Sequence, residues 1–159
     1  MSDLYENDLE RWAEHQVARL QEIARTSNAD VDWENIFEEL GALGRSERDA
    51  VESALIQLLS NLLKITAWPE STAVNYWRGE AAAARINARR KYRPSMRQHI
   101  EADFIGFYRD AISIVQAIGQ IDGREALPVP ETSPVTYEEL LDPATDLQTL
   151  LRRFVQEGG

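Results

Sequence analysis

Across residues 32–64 apolar side chains recur every three or four positions for about nine turns, the pattern of one long amphipathic helix. Its expected buried stripe takes in Trp33, Ile36, Phe37, Leu40, Leu43, Val51, Ala54, Leu55, Leu58, Leu62 and Ile65. Asp32 is placed to cap the first turn, Glu34 to complement its positive end, and Pro69 to stop the helix. Gly41 and Gly44 each cost about 1 kcal/mol relative to alanine. Ser46-Glu47-Arg48-Asp49 also has the form of a cap, so two readings stand: an unbroken helix, or a break near Gly44.

Three further helices are expected around this one. The first covers residues 4–25, with Leu9, Trp12, Ala13, Gln16, Leu20, Ile23 and Ala24 on one arc. The third covers residues 72–92 and turns a mostly alanine face inward, Ala73, Trp77, Ala81, Ala84 and Ala88, which lets a neighbour approach closely. The fourth covers residues 96–118, capped by Ser95 after Pro94, with Ile100, Phe104, Phe107, Ala111, Ile114, Val115 and Ile118 inward. Ile105 and Ile112 fall off that face, so a second side of this helix is apolar as well. Beyond Gly123, Pro128, Pro130 and Pro134 demand an extended wrap, and Thr136-Tyr137-Glu138-Glu139 is a capping box that opens a short helix through Leu141. A last helix after Pro143 ends in Phe154 and Val155. The expected fold class is therefore all-α: a single domain over residues 1–159, with an antiparallel bundle of four long helices (1–121) and a Pro-rich, partly helical tail (122–159).

Composition narrows the chemistry. With no cysteine, thiolate zinc sites, disulfides, iron–sulfur clusters and thiol nucleophiles are all excluded. Residues 1–20 are charged throughout and no run approaches a membrane span, so a cytoplasmic protein with neither signal peptide nor membrane contact is expected. The net charge of −10 argues against general phosphate-backbone binding. Yet Arg78, Arg85, Arg89, Arg90, Lys91, Arg93 and Arg97 lie close together with Glu80 as the one acid among them.

Several polar residues project onto or beside apolar faces. Gln16 sits within the first helix's arc; Glu47 lies near the centre of the second helix's stripe if that helix is continuous, and Asn61 at its edge. A buried carboxylate needs a cation, a donor or a proton, and the row Arg78, Arg85 and Arg89 is positioned to meet Glu39 or Glu47. Together with Lys64 these residues make one expected polar cluster between the second and third helices. Its bland reading is an ion-pair and amide network that sets helix register; its sharper one is a pocket for an anion or small metabolite. No metal site is expected, because His15 and His99 lack the Glu-x-x-His spacing of di-iron bundles and both project off the apolar arcs. No Gly-x-Ser-x-Gly elbow or phosphate-cradling loop is present, so no catalytic residue and no cofactor are assigned.

Tyr5, Asp8, Trp12 and Gln16 begin an ordered string of residues. Asp32-Trp33-Glu34-Asn35-Ile36, Glu38-Glu39-Leu40, Leu43-Gly44-Arg45-Ser46-Glu47 and Leu62-Leu63-Lys64 follow, then Pro69, Trp77, Arg85, Pro94-Ser95 and Pro134. Over nearly the whole chain this string resembles the bacterial family of domain of unknown function 29. The resemblance implies a short helical protein and carries no activity, substrate or cofactor. Similar sequences often place a histidine just before the Leu-Leu-Lys block, where this chain has Asn61, which hydrogen-bonds but cannot shuttle protons near neutral pH.

The expected function is a non-catalytic interaction or regulatory protein, its partner another protein or a second copy meeting the off-face isoleucines of the fourth helix. A ligand pocket lined by Glu39, Glu47, Asn61, Arg78 and Arg85 is the alternative. Nucleic-acid binding through the arginine row, with Tyr76, Trp77 and Tyr92 interleaved, comes third.

Overall fold

The computed structural model describes residues 2–158 and is organised around α3 (Trp33–Ala67), whose 35 residues run unbroken for about 52 Å. Asp32 caps it, its carboxylate accepting from the Asn35 backbone N–H at 3.4 Å and from Asn35 Nδ2 at 2.6 Å. No break occurs at Gly44. Before α3 come α1 (Ser2–Asn7) and α2 (Leu9–Thr26); after it come α4 (Val74–Lys91), a single 3₁₀ turn (Pro94–Met96), α5 (Arg97–Asp122), α6 (Tyr137–Leu141) and α7 (Leu147–Gly158). There is no strand among the described residues.

The two halves of α3 live in different surroundings. Its C-terminal half packs against α4, α5 and α7, and every residue from Leu58 to Leu63 is buried, including Ser60 and Asn61. A helix covered on all sides reads apolar all round, as this stretch does. Ala81, Ala84 and Ala88 of α4 are fully packed, and their small side chains bring α4 close to α3. The N-terminal half packs mainly against α2, forming a hairpin in which Trp33, Ile36, Phe37 and Leu40 are only half-buried.

Gly44 explains how that hairpin closes. A Cβ there would stand 2.9 Å from the Ala13 Cβ and 3.2 Å from the Glu10 Cα, so α2 rests against bare α3 backbone. The glycine that suggested a helix break instead marks a helix crossing.

Local details depart from expectation at several points. Residues 4–25 are not one helix: Asp8 interrupts them with φ −153° and ψ 82°, and its carboxylate caps α2 by accepting from the Arg11 N–H at 3.0 Å. Ser95 does not cap α5. Its hydroxyl donates to the Asp8 carboxylate at 2.9 Å, tying the 3₁₀ turn to the start of α2. The fourth long helix runs four residues further than expected, to Asp122, and ends at Gly123 with φ +62°, a left-handed position suited to glycine. Leu43 and Ile114, expected inside, are 44% and 41% exposed. Ile112 packs against the core, while Ile105 stays exposed.

The tail is held at defined points. The Leu127 N–H donates to the Ala67 carbonyl at 2.9 Å, and the Tyr108 hydroxyl to the Pro130 carbonyl at 2.6 Å. The capping box opens α6 as expected, with Thr136 and Glu139 bonded reciprocally. Leu150, Leu151 and Phe154 of α7 then enter the core, whereas Val155 points outward.

Candidate functional site

The expected polar cluster does not form as one body. Its members are spread over separate places along α2, α3 and α4. The reason is geometric: α3 is long enough that Glu39 and Asn61 stand about 33 Å apart along its axis.

Arg85 and Arg89, one turn apart on α4, face the end of α6 rather than Glu39 or Glu47. Arg85 is buried and donates from Nε to the Leu140 carbonyl at 2.7 Å, and from Nη2 to the carbonyls of Asp142 at 2.7 Å and Glu139 at 3.3 Å. Arg89 donates from Nε to the Leu141 carbonyl at 3.0 Å and from Nη2 to the Asp142 carbonyl at 3.2 Å. The last carbonyls of a helix have no partner of their own and carry its negative end, so two guanidinium forks satisfy them in both geometry and charge. Burial and the neighbouring Arg89 push the Arg85 guanidinium below its ordinary range, while Asp142 and Asp146 oppose that shift. Arg78 is exposed, one of several residues lining a separate apolar cavity between the ends of α3 and α7.

Asn61 and Lys64 share a stripe with Gln57 that faces α4. Gln57 Nε2 donates to the Glu80 carboxylate at 3.2 Å, and Asn61 Nδ2 donates to the Gln57 carbonyl at 2.9 Å. Lys64 Nζ stands 5.5 Å from the centre of the Trp77 ring. Burial lowers the Lys64 pKa from the usual lysine range, and Glu80 across the interface raises it in part. Asn61 Oδ1 is buried without a hydrogen-bond partner among the described residues. This stripe fastens two helices through a cation over an indole and an amide–carboxylate bond.

Glu47 and Gln16 are half-buried, and Glu39 is exposed. Glu47 makes no hydrogen bond or ion pair with a described residue. Ile36, Leu40 and Leu43 run along α3 beside Glu39, at the i, i+4 and i+7 spacing of a single face. With Asp32, Asn35 and Glu39 they line an apolar groove of about 530 Å³ that no other described residue lines. His15 and His99 are exposed, and among the described residues no group of three or more His, Cys, Asp or Glu is arranged to hold a metal ion.

One cluster was not anticipated. At the α2–α3 crossing, Arg48 Nη1 lies 2.5 Å from the buried Glu10 carboxylate, and its Nε lies 3.8 Å from Glu52. Two carboxylates thus share one guanidinium. Burial raises the pKa of both acids above the ordinary carboxylate range, and Arg48 lowers each in part. Glu10 Oε2 has no hydrogen-bond partner among the described residues. The readable signal was the spacing of Gly44 and Arg48, which puts one close-approach position and one cation on the same face.

A family model described as "Domain of unknown function DUF29" matches residues 4–145. Among solved structures, an alpha-helical protein of unknown function from Rhodospirillum rubrum is similar, at 25% sequence identity and a TM-score of 0.81. The alignment covers 94% of this chain and 96% of that one. Among curated proteins, none matches the chain.

Proposed function

For a chain that belongs to the family described as domain of unknown function DUF29, no activity comes with the fold, and we propose a protein-interaction role without catalysis. In this reading the chain is a single domain of antiparallel long helices, 122–159 is its wrapping tail, and it works in the cytoplasm. No helix among the described residues is long and apolar enough to cross a membrane.

The observation that carries the reading is the Ile36–Leu40–Leu43 groove. A hairpin of two helices cannot cover the full apolar width of α3, and this strip is what remains open. Its surroundings indicate what would cover it. Residues 1–52 hold fourteen acids against five arginines, nearly the whole of the chain's net charge of −10. Two copies brought together here would repel, so a second copy is a poor occupant. A cationic amphipathic helix fits, with apolar residues at i, i+4 and i+7 in the groove and lysine or arginine over Asp32 and Glu39.

The test is affinity capture from cell extract with the wild-type protein and with Leu40→Asp/Leu43→Asp. Both side chains are at least partly exposed, so the variant keeps its helicity by circular dichroism. A protein retained by the wild type and lost by the variant supports the role; identical captured sets overturn it. The alternatives have less support. Arg85, a member of the pocket alternative, and Arg89 of the arginine row are both committed to tail carbonyls.

A further inference from the structure

Between α5 and residues 131–138 of the tail lies a cavity of about 500 Å³, a size that holds small organic ligands. Its apolar lining comes from Phe104, Ile105, Tyr108, Val135 and Tyr137. The Phe104 and Tyr137 rings stand 6.4 Å apart at 59°, so they present differently inclined faces. Ile105 is 66% exposed, an isoleucine that the core does not use. The Tyr108 hydroxyl is already committed to Pro130, which fixes the ring against the tail.

Glu101, Glu131 and Glu138 line the same cavity, against Arg109 as its one basic residue. Glu101 reaches Arg97 at 3.8 Å in an exposed pair, which water screens. Glu131 and Glu138 make no hydrogen bond or ion pair with a described residue. Burial drives the Tyr137 phenol up to about 12, and the nearby Tyr92, Glu138 and Glu101 add to the rise.

We propose that this cavity binds an organic cation, specifically a primary amine carried on an aromatic body. The aromatic walls accept an apolar ring, and their faces attract positive charge through the ring quadrupole. The carboxylates at the rim place negative potential where an ammonium would emerge. An anionic ligand meets net repulsion from this lining and from the chain as a whole. A neutral one leaves Glu131 and Glu138 without a cationic partner. The site is separate from the α3 groove, so neither result decides the other.

Phenethylamine and 2-phenylethanol, which differ in the ammonium alone, test the assignment by titration calorimetry at low salt. The amine is expected to bind about tenfold tighter than the alcohol or better. Glu131→Gln/Glu138→Gln is expected to reduce that preference to about threefold or less, because two exposed carboxylates have lost their charge. Ile105→Trp, which fills the cavity from an exposed position, is expected to remove binding of both while leaving helicity unchanged. Absence of amine binding at millimolar concentration overturns the proposal. So does equal affinity for amine and alcohol, a preference that survives the double variant, or binding indifferent to Ile105→Trp.

Discussion

Single atoms decide how α2 meets α3. Because a methyl group at residue 44 would overlap Ala13 and the Glu10 backbone, Gly44→Ala should separate the two helices even though alanine is the better helix former. The expected loss is about 2 kcal/mol, in the range of overpacking, and chemical denaturation measures it. Propensity alone predicts a gain of about 1 kcal/mol, so the sign of the change separates the two accounts. The acids beside this crossing set a pH dependence. For Glu52, burial raises the folded pKa above the unfolded value, so its favourable contribution is present at low pH and lost as pH rises through the folded value. Glu52→Gln should therefore raise the Tm at pH 7, and the gain should shrink as the pH falls and the native carboxyl takes up its proton. Thermal melts across that range check it, with Glu10 left as the partner of Arg48.

At the scale of elements, the helices were largely legible from their periodicity, and the contacts between them were not. Residues 32–64 announced α3, and Thr136 with Glu139 announced α6, because both signals are local. Arg85 and Arg89 were legible as a row on α4, but their partners lie more than fifty positions away, and main-chain carbonyls leave no trace in residue type. Asp8 falls within a continuous helical period that hides its local capping bond to Arg11, and its second partner, Ser95, lies eighty-seven positions later. Glu47 was expected to need a partner because a helical projection assumes the facing side is covered, and here it is open. The two arginines are expected to hold the tail. Arg85→Met strips α6 of three charge-assisted bonds, a loss of about 3 kcal/mol. Hydrogen exchange should then accelerate across residues 127–155 and stay close to wild type in α2. Uniform protection in that variant would contradict the assignment.

Over the whole molecule, charge and burial divide together. The end rich in acids is the thinly covered hairpin, and the densely packed end is where α4, α5 and α7 surround α3. The apolar core is therefore gathered around the C-terminal half of α3, where truncations such as Leu58→Ala or Leu62→Ala remove side chains with no exposure at all. The hairpin contributes less to that burial and keeps more of its surface available.

The uninterrupted course of α3 has a mechanical consequence. With neither proline nor gap between its ends, it offers no joint about which the acidic prong could swing. A molecule gripping the prong would find the tail at a fixed bearing, so the protein behaves as a rigid bracket rather than a hinge.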